Sequence, residues 1–135
     1  MGNFLKTYQI LYKKAVVDLN SAKVILESFN NGNTKLDLEV ICFHLQQCSE
    51  KLIKTILDYN KIKYKNTHDL KSLTNLLDKH NISLEKIDNL LPLSVYAVEG
   101  RYGIIQDDLN DIDIYMSILD NLTIFIKNTI TKKRD

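Results

Sequence analysis

Residues 34–59 read TKLDLEVICFHLQQCSEKLIKTILDY, and within them Leu38, Ile41, Leu45, Cys48, Leu52 and Ile56 recur at spacings of three and four. That is the period of one face of an α-helix, so the stretch predicts a long amphipathic helix ending near Tyr59 and Asn60. Thr34 is placed to cap it, with Asp37 three residues on in a capping-box arrangement. The same rhythm lies upstream, where Tyr8, Tyr12, Ala15, Leu19, Ala22, Leu26 and Phe29 predict a first helix from about Phe4. Asn30-Asn31-Gly32-Asn33 ends it, since Gly and Asn accept the left-handed geometry of a helix C-terminus.

Downstream, Lys61-Ile62-Lys63-Tyr64-Lys65-Asn66 is a polar connection, and Thr67 is a suitable N-cap for a third helix starting at His68-Asp69-Leu70. Leu70, Leu73 and Leu77 form its apolar stripe, with a stop at His80-Asn81. Ser83 is placed to cap a fourth helix through Ile87, Leu90 and Leu91, which Pro92 kinks or breaks before a segment through Val95 and Tyr96. Glu99-Gly100-Arg101-Tyr102-Gly103 reads as a loop. Asp107 or Asp108 then caps a last helix carrying Leu109, Ile112, Met116, Leu119, Thr123, Ile126 and Ile130 on one face. The expected architecture is an all-α antiparallel up-and-down bundle of about five helices, in a single domain over residues 1–135.

Composition narrows the function. The 135 residues are 44% hydrophobic and 26% charged, with 18 Lys plus Arg against 17 Asp plus Glu. A net charge of +1 argues against binding polyanions through bulk charge, so any nucleic-acid contact must be local. Four Gly and one Pro leave no glycine-rich phosphate loop. Cys42 and Cys48 fall on different faces of one helix and cannot bridge, and His44, His68 and His80 are scattered, so neither a disulfide nor a metal site is expected. No apolar run is long enough for a signal peptide or membrane span, which predicts a soluble, cytoplasmic protein. No nucleophile with an evident base stands out.

The polar residues leave alternatives open. His44, Gln47, Lys51, Lys54 and Asp58 share a polar face of the second helix, with Gln46 and Glu50 at its edge. This is either a solvated face with a Glu50–Lys54 ion pair at four-residue spacing or a ligand-binding face. Lys61, Lys63 and Lys65, with Tyr64 as a stacking surface, either hold phosphate and base or form a solubilising loop. Arg101 is one of two arginines in a lysine-rich chain, which suggests planar, bidentate recognition of a carboxylate such as Glu50 or of a phosphate.

The segment Phe43-His44-Leu45-Gln46-Gln47-Cys48-Ser49-Glu50-Lys51-Leu52-Ile53-Lys54, followed by Thr67-His68-Asp69-Leu70 and by Arg101-Tyr102, resembles the HEPN family of helical domains in order and spacing. The resemblance runs from about Leu11 to Ile130. It implies a bundle of about five helices, a homodimer, and a place in prokaryotic toxin-antitoxin or defence systems. The ribonuclease branch of that family carries Arg, four to six variable residues, then His. Here Tyr102-Gly103-Ile104-Ile105-Gln106-Asp107-Asp108 follows Arg101 and no histidine comes after it. Metal-independent RNA cleavage needs a proton carrier near neutral pH, so the usual ribonuclease mechanism is not expected. Gly100 and Gly103 also stand where similar proteins tend to have Ala and Pro.

The other branch consists of small proteins associated with a separately encoded minimal nucleotidyltransferase and linked to nucleotide binding. By this resemblance Glu50, Lys51, Lys54, His68, Arg101 and Tyr102 are the candidate residues for a nucleotide or RNA ligand, with no catalytic residue, metal or cofactor. Arg101 and Lys54 would hold phosphate oxygens, while His68 and Tyr102 would face a base or fix the loop. A Glu50–Arg101 pair that only locks the loop is the structural alternative. The alternative function is an endoribonuclease with an altered site in which His68 stands in for the missing histidine.

Overall fold

The computed structural model describes residues 4–33, 35, 37–97 and 107–132. Four α-helices and one 3₁₀ helix follow in the order α1 (Thr7–Asn30), α2 (Leu38–Tyr59), α3 (Leu70–Lys79), the 3₁₀ helix (Ile87–Tyr96) and α4 (Leu109–Ile130). No strand occurs among the described residues, and the fold is all-α as the periodicity predicts.

α2 is the centre. Thirteen of its 22 residues are buried, far more than one apolar stripe would cover, because α1, α3, α4 and the 3₁₀ helix all pack on it. α1 lies antiparallel to it: Tyr8 meets Tyr59 edge-on with ring centres 5.1 Å apart, while Asp18, further along α1, reaches back to His44 and Lys51. Ala15, Leu19, Ala22 and Leu26 form the buried face of α1, and Ile112, Leu119, Leu122 and Ile126 that of α4. Tyr12 Oη donates to the Thr123 carbonyl at 3.1 Å, tying α1 to α4. No described helix is long and apolar enough to cross a membrane.

The helix ends show local chemistry choosing between candidates. α1 starts at Thr7, three residues after the expected Phe4, because the Gln9 side chain accepts from the Lys6 N–H and closes the first turn there. Asp37 is the N-cap of α2, its carboxylate accepting from the Glu39 N–H at 3.0 Å; the expected cap Thr34 lies outside the described residues. α3 starts at Leu70, not His68, since Asp69 caps it through the Lys71 N–H, and the Thr67 hydroxyl accepts from the Asp69 N–H instead. Asp108 caps α4 in a reciprocal box with Asp111.

The expected kinked fourth helix is instead a single 3₁₀ helix containing Pro92. Its start is Lys86, in left-handed geometry, and Ser83 does not cap it. The reason is the spacing of Ile87, Leu90, Leu93 and Tyr96. A 3₁₀ helix has three residues per turn, so apolar residues every third position line one side, and Leu90, Leu93 and Tyr96 are buried there. The expected loop from Glu99 to Gly103 lies outside the described residues.

Candidate functional site

Glu50 and Lys54 sit one turn apart on α2 and point at the connection to α3. Glu50 Oε2 accepts from Lys54 Nζ at 3.3 Å, and Glu50 Oε1 lies 2.7 Å from His68 Nδ1. With an ionised carboxylate accepting, Nδ1 carries the ring proton. Glu50 and Lys54 are only 3% and 7% exposed, so the four-residue ion pair exists but is buried, unlike the solvated face that helical spacing alone suggests. The His68 side chain, by contrast, is 62% exposed. The carboxylate therefore fixes a ring whose remaining edge meets solvent.

The backbone of this corner is held as firmly as the side chain. Gln46, fully buried, donates from Nε2 to the His68 carbonyl at 3.3 Å, and Gln47 Nε2 donates to Gln46 Oε1 at 2.6 Å. The adjacent glutamines thus orient the turn that carries His68. Tyr64 closes the other side, with Lys54 Nζ 5.8 Å from its ring centre, a cation over an aromatic face. Burial, then the charges of Asp58 and Glu50, push the Tyr64 hydroxyl above its usual range. Among the described residues every buried side-chain nitrogen and oxygen has a hydrogen-bond partner. Glu50 and Lys54 accordingly act as a scaffold, and contact with a ligand falls to the exposed members.

Beside this scaffold Tyr64, Lys65, Thr67, Ser72, Leu73, Asn75, Leu76 and Lys79 line a groove of about 320 Å³. That volume is at the lower end of small-molecule sites, roughly 300–1,000 Å³. The Tyr64 ring and Leu76, backed by the buried Leu73, offer a surface for a flat base, while Lys65 and Lys79 supply cations. Lys65 and Tyr64 come from the basic connection that the sequence singles out; Lys79 comes from the last turn of α3, where helix-dipole complementarity alone would account for it. A cleft of equal volume, lined by Ser83, Glu85, Lys86, Ile118, Asn121, Leu122 and Phe125, shares no residue with this scaffold.

Of the six candidates, the structure brings together Glu50, Lys54 and His68. Lys51 faces the other way: it pairs with Asp18, whose second oxygen lies 3.1 Å from His44 Nδ1. Arg101 and Tyr102 lie outside the described residues. Asp107, the first described residue after them, accepts from Tyr96 Oη at 2.7 Å and from Tyr115 Oη at 2.8 Å and so joins the end of the 3₁₀ helix to α4. Sequence reasoning leaves Gln46 and Asp18 unassigned. Their signals were the Gln-Gln pair facing the His-Asp-Leu turn and a lone acid on the apolar side of α1. Both cysteines are free and buried, and burial above all pushes the Cys42 thiol up to about 12. Among the described residues no three His, Cys, Asp or Glu side chains converge to hold a metal.

A search of curated proteins returns no match. Among solved structures, the crystal structure of an archaeal HEPN homologue superposes with a TM-score of 0.62 at 22% identity, covering 94% of this chain and all of that one. At that identity the likeness concerns the fold. The family model for the HEPN domain matches residues 8–128, which takes in every described helix but the ends of α1 and α4. The chain belongs to the HEPN domain family.

Proposed function

We propose that the protein is a homodimeric HEPN module that binds a nucleotide and regulates a separately encoded minimal nucleotidyltransferase in a prokaryotic toxin-antitoxin or defence system. The observation that carries the nucleotide reading is the groove beside His68, in which Tyr64, Leu73 and Leu76 meet Lys65 and Lys79. A base stacks on the apolar floor, and the lysines neutralise phosphate oxygens. His68, held by Glu50 and next in the chain to the groove residue Thr67, offers a further hydrogen bond. Arg101 is the further cation that the family resemblance assigns to the ligand.

Thermal unfolding with and without AMP, ATP and GTP tests this. A ligand at about 100 times its Kd stabilises the folded state by about 2.7 kcal/mol, a shift of several degrees for a chain of this size. The shift should vanish in Lys65→Ala/Lys79→Ala and in Arg101→Ala. No shift with any of the three nucleotides would overturn the nucleotide reading.

The second reading, a metal-independent endoribonuclease with an altered site, is favoured by one observation: a carboxylate-bound imidazole with its ring exposed is the arrangement of a general base. Cleavage of single-stranded or structured RNA in EDTA, lost in His68→Ala, would establish it. Intact RNA after incubation with folded protein would exclude it.

A further inference from the structure

One end of the bundle gathers lysines from three separate places. Lys6 precedes α1, Lys61 follows α2 and Lys132 follows α4, and all three line a pocket of about 370 Å³ together with Tyr8 and Tyr59. Asp58 is the one acidic residue among the described residues that line it, so three cations meet a single carboxylate. Among the described residues none of the three lysines forms an ion pair. Local stability accounts fully for Lys132 alone, since a cation past the end of α4 suits the negative end of the helix dipole. Lys6 stands at the positive end of α1, whose first turn carries no acidic residue to offset it. Lys61 holds a φ of 57°, where glycine is the unstrained choice. Two of the three lysines are thus placed against local stability, and such residues gather at binding sites. Directly before Lys6 in the chain, Phe4 and Leu5 are 92% and 46% exposed.

We propose that this pocket takes a phosphate group, presented as the headgroup of an anionic lipid, so that this end of the bundle docks on a membrane surface. Charge complementarity sets the chemistry. Three lysines and the positive end of the α1 dipole converge on one anion, in a chain whose net charge of +1 leaves no general attraction for polyanions. Tyr8 and Tyr59, edge to face with ring centres 5.1 Å apart, are of the residue type that settles at headgroup level, with an apolar ring and a polar tip. Phe4 and Leu5 select the lipid over a free phosphate: an exposed apolar pair beside a basic cluster enters the acyl boundary, whereas a soluble anion gives it nothing to bury against. Such docking is peripheral and asks for no spanning helix. The pocket shares no residue with the groove beside His68, so the inference goes beyond the nucleotide reading and does not depend on it.

Co-sedimentation of the full chain with vesicles tests it, using phosphatidylcholine alone and phosphatidylcholine mixed with phosphatidylglycerol, with circular dichroism to confirm that each variant is folded. The protein should be retained on the mixed vesicles, less so as salt rises, and not on the neutral ones. Lys6→Ala, Lys61→Gly and Lys132→Ala should each lower the partition coefficient about fivefold. Lys61→Gly is the decisive variant, because it relieves the left-handed strain and so cannot act by unfolding the chain. Phe4→Ala should lower partitioning about tenfold, a loss that salt does not mask. Lys71→Ala, an exposed lysine on α3 outside the pocket, should leave it unchanged. Equal losses in Lys71→Ala and Lys61→Gly would reduce the effect to bulk charge and overturn the site, as would a wild-type chain that no vesicle retains. Thermal stabilisation by inorganic pyrophosphate, absent in Lys61→Gly and unaccompanied by vesicle binding, would assign the pocket to a free phosphate and overturn the membrane surface.

Discussion

Glu50 shows how much one side chain can carry. It is buried, yet it accepts from a lysine on its own helix and faces a histidine from the next connection, so its charge is met on both oxygens. Glu50→Ala should cost about 3–5 kcal/mol in chemical unfolding, because Lys54 would be left buried without its carboxylate. Glu50→Gln should cost less and should loosen His68, which would be visible in the His68 ring resonances. The thiols and phenols give a second residue-scale expectation. Burial, reinforced by Asp107, raises Cys42 from 9.0 to about 12, and burial together with the Asp107 hydrogen bond raises Tyr115 as well. Both groups bind their protons more tightly folded than unfolded. Their contribution is therefore complete below the unfolded pKa and is lost as pH rises through the folded one. Urea unfolding at a series of pH values should show a loss of stability setting in above about pH 9. A thiol-specific reagent at pH 8 should react with Cys42 and Cys48 only at the rate of unfolding.

At the scale of elements, three helices end in the same way. The N–H groups of Asn33, Ile62 and Ile82 return to the carbonyls of Ser28, Leu57 and Leu77, and the residue before each is left-handed: Gly32, Lys61 and Asn81. Only the first is glycine. Lys61 is exposed and holds a φ of 57°, a conformation costing a non-glycine residue about 1–2 kcal/mol. Lys61→Gly should accordingly stabilise the protein by about 0.5–1 kcal/mol, after the added freedom of the unfolded chain is subtracted, and raise Tm by a few degrees. The Asn-Gly and His-Asn signals made two of these ends legible in the sequence, while Tyr59-Asn60 marked the third. The 3₁₀ helix was legible in principle through the three-residue spacing of Ile87, Leu90, Leu93 and Tyr96. Pro92 obscured it, because proline in an apolar run argues for a break in an α-helix and says less about a 3₁₀ turn.

Across the whole molecule, the number and order of the α-helices followed from three-and-four spacing, since each carries an apolar face that the sequence records directly. Burial of the polar residues did not follow. Glu50, Lys54 and Gln46 share the spacing of a solvated stripe and become buried only because α2 is covered from several sides, a property of the assembled bundle. The site is likewise divided between elements: Lys79 ends α3, Tyr64 and Lys65 precede it, and His68 is aimed by α2 from 18 residues away. Periodicity within one element carries no record of such meetings. The resemblance to HEPN sequences supplied His68 and Glu50 together, and the geometry gives the reason, a carboxylate that orients the ring.

Titration of isotope-labelled protein with ATP, followed by amide NMR, tests nucleotide binding in this groove directly. Saturable shifts concentrated at Tyr64, Lys65, His68, Leu76 and Lys79 are expected, with their loss in Lys65→Ala/Lys79→Ala. Saturable shifts confined to other surfaces, or an unchanged spectrum at millimolar ATP, would contradict it.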